Sequence, residues 1–243
     1  MPHWGANSDQ QNTYFYQVLA LAFAKTESRY GPVELQVYPE NLTSARLMAD
    51  LKQNVTIDVI WTGTTPQREK DFLPIRISLL KELNEYRVLL IRREDQEKFS
   101  RVNSVEDLRK FTAGSGTDWP SREVLQHNQL PVITVTNADL LFPMLKAKRF
   151  DYISRNMFEV WGEAKTYEKD GLAMEKTLLL HGGVPFYFFV NKNNFLLAER
   201  IEQGLKMATA DGSFAKLFFS FPDFKRGSDE IKSTQRKNLL LGS

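Results

Sequence analysis

The spacing of apolar residues predicts alternating helices and strands over the first sixty residues. Apolar side chains recur at helical spacing between residues 14 and 22, and Gly31-Pro32 ends that helix. Apolar and polar residues then alternate over residues 33–37, as in a strand. A second helical pattern covers residues 44–51, and a β-branched strand pattern follows at Val55–Ile60. The order helix, strand, helix, strand indicates an α/β sheet with parallel strands.

The rest of the chain continues this alternation. Tyr86–Ile91 ends in an apolar run, which is typical of a strand buried on both faces. A strand at residues 111–113 leads into the small-residue turn Gly114–Asp118, and Pro120 suits the first position of a helix. Ser104 and Asp107 are expected to cap a short helix, and Pro143 is expected to interrupt a later one. Further predicted elements are a strand at Phe150–Ile153, a helix at Asn156–Ala164, a strand at Phe186–Val190 and a helix capped by Asn193 or Asn194.

The stretch Ile57–Pro74 is the one around which the chain is organised. Its strand brings Trp61, the polar turn Thr62–Thr65 and then Arg68 to one end of the predicted sheet. Amides and hydroxyls in such a turn can hold an anion, and the forked guanidinium of arginine matches a carboxylate. The alternative is an ordinary surface turn with Arg68 in solvent. This stretch by itself leaves both interpretations open.

Composition narrows the function classes. The chain has 243 residues, enough for one large domain or two of ordinary size. Its net charge of +2 favours neither nucleic acid nor an anionic membrane. The absence of cysteine excludes disulfides and thiolate sites and suits an oxidising compartment. The three histidines lie far apart, and no phosphate loop, dinucleotide fingerprint or nucleophile elbow occurs. We therefore expect no metal and no cofactor.

Five short motifs, in order along the chain, resemble those of a known family. They are Thr65-Pro66-Gln67-Arg68-Glu69, Gly114-Ser115-Gly116-Thr117, Arg149-Phe150-Asp151-Tyr152, Phe189-Val190-Asn191-Lys192 and Ala210-Asp211-Gly212-Ser213-Phe214. The family is that of bacterial periplasmic solute-binding proteins of the amino-acid-binding type, also called family 3. Gln67 replaces the glutamate that the first motif usually has. The order and spacing of the motifs over about residues 12–220 carry the resemblance.

The resemblance implies an α/β, two-lobed fold of the periplasmic-binding-protein type 2. Two hinge strands would join the lobes near Val88–Arg92 and Pro185–Val190. The first lobe would be discontinuous, with residues 1–90 and 188–243 in lobe 1 and residues 91–187 in lobe 2. A ligand would lie in the cleft between the lobes, which would close around it.

The resemblance also assigns roles to single residues. Arg68 matches the arginine that grips a ligand carboxylate, and Trp61 and Gly63 match positions whose backbone faces ligand. Thr117 and Asp118 match the turn of the second lobe that binds the same carboxylate. The full set of predicted ligand-binding residues is Trp61, Gly63, Thr64, Arg68, Thr117, Asp118, Trp119, Arg155 and Asn156.

Several of these assignments have alternatives. Trp61 and Trp119 either sandwich a flat or apolar ligand or belong to the core. Arg155 either contacts an anion or pairs with Glu159 one helical turn later. Asp118 either accepts a hydrogen bond from the ligand or only caps the helix at Trp119.

The position of Asn156 departs from the family pattern. Members that bind α-amino acids usually have an aspartate there, which pairs with the ligand ammonium. Here a cation, Arg155, precedes a neutral amide. An ammonium near Arg155 with no carboxylate would be repelled, so we expect a ligand other than a zwitterionic amino acid.

The predicted function is capture of a small anionic or polar solute, without catalysis, for an ABC-type transporter. The expected partners are the solute and a membrane permease, with no nucleic acid, and the protein is expected to be a monomer. One alternative is the ligand-sensing domain of a membrane-bound signalling protein. Another is a dehydratase of the same fold, whose Thr-Asp-x-x-Glu segment would here be Arg155–Glu159, with only the glutamate retained.

The predicted location is the periplasm. Val18–Ala24 resembles the apolar core of a signal peptide, but Asp9 precedes it and no Lys or Arg does. We interpret this run as a helix, so the prediction includes a signal peptide that has already been removed.

Overall fold

The structure is a computed structural model that describes residues 9–38 and 44–242. The α-helices, in chain order, are α1 (Asp9–Tyr30), α2 (Ser44–Gln53), α3 (Pro66–Asp71), α4 (Gln96–Ser100), α5 (Val105–Leu108), α6 (Pro120–His127), α7 (Leu141–Lys146), α8 (Val160–Thr166), α9 (Phe195–Ala210), α10 (Ser213–Ser220) and α11 (Pro222–Ser233). The strands are β1 (Val59–Gly63), β2 (Phe72–Ile75), β3 (Tyr86–Arg92), β4 (Ala113–Gly116), β5 (Val132–Val135), β6 (Tyr152–Asn156), β7 (Leu172–Met174), β8 (Leu178–His181), β9 (Phe186–Asn191) and β10 (Lys237–Leu240).

The chain folds into two units, each built from separate stretches. Unit 1 contains the residues up to Lys81 together with Pro185–Pro222. Unit 2 contains Glu82–Val184 together with Asp223–Ser243. The first unit is therefore discontinuous, as the predicted fold class required.

Unit 1 has a sheet in the order β1-β9-β2, and both strand pairs are antiparallel. One core cluster under this sheet consists of Leu47, Leu51, Ile57, Ile60, Phe72 and Phe189. On α9, a Cβ built at Gly204 would lie 2.0 Å from the carbonyl oxygen of Ala22 on α1. The absence of a side chain at Gly204 is therefore what lets these two helices pack closely.

The expected strand at residues 33–37 is wrong, and so is the expectation of parallel strands in this part of the chain. Among the described residues of unit 1, β1 pairs with β9 and not with residues 33–38, which form no strand. Val33 and Val37 are each 44% exposed. The alternation that suggested a strand thus does not correspond to a buried face, which is the condition under which alternation predicts a strand.

Unit 2 has a mixed sheet in the order β10-β8-β3-β6-β4-β5, and β7 also pairs with β3. Strand β4 runs parallel to β5 and β6, whereas β3 is antiparallel to its neighbours β6, β7 and β8. Val88, Leu89, Leu90 and Ile91 on β3 are each 0% exposed. The prediction that this apolar run is a strand buried on both faces is confirmed.

The C-terminal segment belongs to unit 2, whereas the predicted lobe boundaries placed residues 223–243 in lobe 1. Strand β10 pairs in parallel with β8. On α11, Phe224 packs edge-to-face on Phe158, and Ser228 donates a hydrogen bond to Glu82. The apolar residues Leu239–Leu241 gave no sign in the sequence of which sheet they would join.

Several local predictions can be compared with the structure. Ser104 caps α5, and Pro120 is the first residue of α6, as expected. Pro143 does not interrupt α7, because it lies within the first turn, where no intrahelical N–H bond is required. The predicted helix at residues 156–164 begins only at Val160, since Asn156 is the last residue of β6.

The described residues contain no helix that is long and apolar enough to cross a membrane.

Candidate functional site

The turn between β1 and α3 is set by threonine and proline. Thr65 is the N-cap of α3, and its hydroxyl accepts a hydrogen bond from the backbone N–H of Arg68 at 3.2 Å. Pro66 occupies the first helical position. The cap fixes the start of the helix, so Arg68 lies within one turn of the end of β1.

Arg68 is buried, with 8% of its surface exposed. Its Nη1 donates to the hydroxyl of Thr62 at 3.0 Å and to the carbonyl oxygen of Gly63 at 2.7 Å. Both of these acceptors are neutral, and they fix the orientation of the guanidinium. The alternative that Arg68 is a solvated surface arginine is therefore wrong.

Thr64 binds a neighbouring carboxylate within unit 1. Its hydroxyl donates to Glu69 at 2.7 Å, and Arg76 donates to the other oxygen of the same carboxylate. These hydrogen bonds hold the pKa of Glu69 below its usual range, and the one from Thr64 has the larger effect. The predicted ligand contact of Thr64 would therefore compete with an internal hydrogen bond.

Trp61 is a core residue of unit 1. Its side chain is 5% exposed and stacks on Phe15, with ring centroids 5.2 Å apart and planes at 23°. Phe15 also stacks on Phe186 of β9. This arrangement corresponds to the packing alternative stated above for Trp61.

The second predicted turn lies in unit 2, between β4 and α6. The N–H of Thr117 donates to Val135 on β5 at 2.9 Å. Asp118 is exposed, and the N-cap of α6 is Trp119, whose side chain makes no capping hydrogen bond. The turn therefore places Trp119 directly beside the last residues of β4.

Trp119 packs between a glycine and a cation. A Cβ built at Gly116 would lie 2.5 Å from the indole Nε1, so only glycine leaves room for this ring position. The guanidinium carbon of Arg155 lies 4.6 Å from the ring centroid. A cation at this distance is attracted to the indole face, so Arg155 holds Trp119 in place.

Arg155 is paired within unit 2. Its Nε donates to Glu163 at 2.7 Å, its Nη2 donates to the other oxygen of Glu163, and Nη2 lies 3.2 Å from Glu159. Burial lowers the pKa of Arg155, but the attraction of Glu159 and Glu163 outweighs it and the pKa is raised overall. The Arg155–Glu159 pair expected from the sequence spacing is present.

Asn156 links this pair to a second arginine. Its Oδ1 accepts from Nη1 of Arg87 at 2.7 Å, and its Nδ2 donates to Glu159 at 3.0 Å. Burial raises the pKa of Glu163, although Arg155 opposes the change. We call these five residues, Arg87, Arg155, Asn156, Glu159 and Glu163, the Arg87 network.

The structure gathers seven of the nine predicted residues into two groups, whereas Thr117 and Asp118 lie in the turn before Trp119. In unit 1, Gly63, Thr64 and Arg68 lie where β1 leads into α3, and Trp61 is a buried residue of the same strand. In unit 2, Trp119, Arg155 and Asn156 belong to one cluster. Thr62, Arg87 and Glu163 were not predicted as partners of these residues. Arg87 carried a signal, because it is a charge directly before the apolar run Val88–Ile91.

Two other features lie outside these groups. Within the described part of the chain, no cluster of His, Asp or Glu has the arrangement of a metal site. A cavity of about 440 Å³ in unit 2 is lined by residues 176–177, 230 and 233–237, none of which was predicted to bind ligand.

Comparison with known proteins finds chains of similar structure. No family model and no curated protein sequence matches the chain. An ancestral arginine-binding protein bound to arginine has a TM-score of 0.65 and 18% identity, over 86% of this chain and 87% of that one. An amino acid ABC transporter substrate-binding protein from Streptococcus pneumoniae, bound to L-arginine, has a TM-score of 0.64 and 14% identity, over 89% and 82%.

A ligand-binding core also has a similar structure. The GluR0 ligand-binding core from Nostoc punctiforme, in complex with L-glutamate, has a TM-score of 0.60 and 16% identity, over 86% of this chain and 91% of that one. At these identities the likeness establishes the fold. The chain has the α/β fold of the two-lobed periplasmic binding proteins.

Proposed function

We propose that this chain is a periplasmic substrate-binding protein that captures a small carboxylate solute for an ABC-type transporter. Its fold is that of solved amino acid ABC transporter substrate-binding proteins, which supports a binding role. The proposal assigns no catalytic step. The expectation that one ligand contacts both units stays a prediction.

The observation that carries the proposal is the fixed position of Arg68. Its Nη1 is bonded to Thr62 and Gly63 at the end of a buried strand. A guanidinium oriented in advance by neutral acceptors loses little freedom when it binds an anion. Arginine also offers paired donors that match the two oxygens of a carboxylate. Arg68 is therefore our candidate for the carboxylate contact.

The Arg87 network supports the choice of solute class. Both of its carboxylates, Glu159 and Glu163, bond to Arg155. The amide of Asn156 stands where the resemblance implies an aspartate for an ammonium, and its oxygen already accepts from Arg87. A ligand ammonium would compete with two arginines for these groups. We therefore propose a carboxylate solute without an α-ammonium.

A ligand-sensing role is the second candidate, because the GluR0 ligand-binding core shares the fold. The solute chemistry would be the same in both roles. Deleting the gene would abolish uptake of the solute if the chain serves a transporter. Deletion would alter a signalling response and leave uptake intact if it serves a sensor. We do not propose the dehydratase alternative, since Glu159 is bonded to Arg155 and Asn156.

A thermal-shift screen tests the proposal. The panel contains the twenty amino acids, simple carboxylates, dipeptides and aromatic acids. A charge-assisted hydrogen bond contributes about 1.5–3 kcal/mol, so Arg68→Ala should weaken carboxylate binding roughly tenfold to a hundredfold. Arg68→Lys should also weaken binding, because a single ammonium does not reproduce the fork. The control Arg101→Ala, at a side chain that is 83% exposed, should bind as the wild type does.

One outcome would contradict both parts of the proposal. That outcome is a common amino acid that strongly stabilises the wild type, together with an Arg68→Ala variant that retains the full thermal shift. The first result rejects the solute class, and the second rejects the role of Arg68.

A further inference from the structure

Arg87 is a buried cation whose donor nitrogens bond to neutral acceptors. It is 5% exposed. Its Nε donates to the hydroxyl of Ser154 at 2.9 Å, its Nη2 to the carbonyl oxygen of Ser154 at 2.7 Å, and its Nη1 to Asn156. Burial lowers the pKa of Arg87 to about 10, so the side chain stays charged at neutral pH. A neutral side chain would avoid the cost of burying this charge.

The network requires an amide at position 156. The side chain must accept a hydrogen bond from Arg87 and donate one to Glu159. An amide has both an acceptor and a donor end, whereas an ionised carboxylate has acceptors only. An aspartate would bring its second oxygen against Glu159 Oε2, where Nδ2 now lies at 3.0 Å. Arg87 and Glu159 together therefore favour Asn156 over aspartate.

Arg87 also sets the charge of the network. With both carboxyls ionised, Arg87 and Arg155 balance Glu159 and Glu163. The four groups are close enough to influence one another. Burial has the largest effect on the pKa of Arg87, and the charges of Glu159, Arg155 and Glu163 also shift it. Without Arg87 the same cluster would carry one excess negative charge. A negative cluster attracts an ammonium, and a neutral one does not.

We propose that Arg87 is a specificity-determining residue, which keeps the network neutral and so restricts the solute to carboxylates without an ammonium. This inference rests on the proposed function, because it concerns the choice among carboxylate solutes. Arg87 is a positioning residue, because it acts through its hydrogen bond to Asn156 and through its charge.

Isothermal titration calorimetry with matched acids tests the inference. The pairs are 2-oxoglutarate and L-glutamate, pyruvate and L-alanine, and phenylpyruvate and L-phenylalanine. The wild type should prefer the oxo acid of the pair it binds. Removing one positive charge in Arg87→Gln should lower that preference about tenfold, and removing one negative charge in Glu159→Gln should raise it about tenfold. The double variant restores charge balance and should regain the wild-type preference, and Arg101→Gln should leave it unchanged.

The inference is overturned if folded Arg87→Gln keeps the wild-type preference, or if both single variants shift it in the same direction. Should Arg87→Gln fail to fold, Arg87→Lys and Glu159→Gln decide the matter. Arg87→Lys keeps the charge and should keep the preference, so its loss there would overturn the inference. A wild type that binds no carboxylate of the panel overturns the proposed function itself. A wild type that binds an oxo acid, with variants that leave its preference unmoved, overturns this inference alone.

Discussion

Asn156 lies directly opposite Arg87 where β3 and β6 pair in antiparallel register, and its Oδ1 accepts a 2.7 Å hydrogen bond from Arg87. Residues opposite each other in such a pair point to the same face of the sheet. The presence of asparagine at position 156, where the family pattern has aspartate, is therefore coupled to an arginine 69 residues earlier in the chain. A substitution at one of these positions should therefore alter the hydrogen bonding of the residue at the other.

Removing the arginine should destabilise the protein strongly. Arg87→Ala leaves the acceptors of Ser154 and Asn156 without their donor and leaves the network with an unbalanced negative charge. Breaking a buried charged network in this way costs about 3–5 kcal/mol of unfolding free energy. Urea unfolding measures it, with Arg101→Ala as the exposed control. Equal midpoints for the two variants would show that the network contributes nothing to stability.

The carboxylate beside the β1–α3 turn should confer a pH-dependent stability. Hydrogen bonds from Thr64 and Arg76 lower the pKa of Glu69 from its ordinary 4.5. For a lowered pKa, the contribution is fully present above pH 4.5 and is lost as pH falls through the lower folded value. The difference in unfolding free energy between the wild type and Glu69→Gln should therefore shrink in acid.

Denaturant unfolding at a series of pH values from neutral to acid measures this difference. Glu97→Gln, at a side chain 92% exposed, should show no such trend. A Glu69→Gln difference that stays constant across the series would contradict the assigned hydrogen bonds.

Gly116 should be required for the position of Trp119. An alanine Cβ would lie 2.5 Å from the indole Nε1, so the ring must move off Arg155 in Gly116→Ala. Overpacking of this kind costs about 1–3 kcal/mol. Near-ultraviolet circular dichroism should report the altered tryptophan environment. Gly162→Ala, where a Cβ meets nothing within 4 Å, should leave the spectrum unchanged, and identical spectra for both variants would reject the packing.

The C-terminal helix α11 should stabilise unit 2. Phe224 is 1% exposed and packs edge-to-face on Phe158, with ring centroids 5.1 Å apart. Phe224→Ala removes a buried ring and should cost about 3–5 kcal/mol. Hydrogen exchange should quicken in α8 and β8 of unit 2. Phe219→Ala, at a residue 40% exposed, is the milder control. Faster exchange confined to α1 would contradict the assignment of α11 to unit 2.

The sequence predicted the fold where a local signal matched a local requirement. Ser104, Pro120 and the apolar run of β3 each specify their element through neighbouring residues, and each was predicted correctly. Residues 33–37 show the limit. Alternation there predicted a strand. A strand also needs a neighbouring strand with an unpaired edge and a face of its own that is buried, and neither requirement can be recognised from one segment of sequence.

The candidate site shows the same limit in side-chain pairing. Arg68 and its turn could be proposed from one stretch, because Thr65 caps the helix that carries it. The Arg155–Glu159 pair was expected from helical spacing and is present, although Arg155 lies on β6 and the helix begins only at Val160. The contact of Arg87 with Asn156 depends on strand register, and that of Arg155 with Glu163 on where α8 begins. No sequence pattern specified either.

Identification of the molecule that co-purifies with the protein tests the central claim most directly. The protein would be purified without denaturation, and its bound small molecules released and measured by mass spectrometry, for the wild type and for Arg68→Ala in parallel. We predict a small carboxylate without an α-amino group in the wild type and its loss from Arg68→Ala. A common α-amino acid retained equally by both proteins would contradict the account.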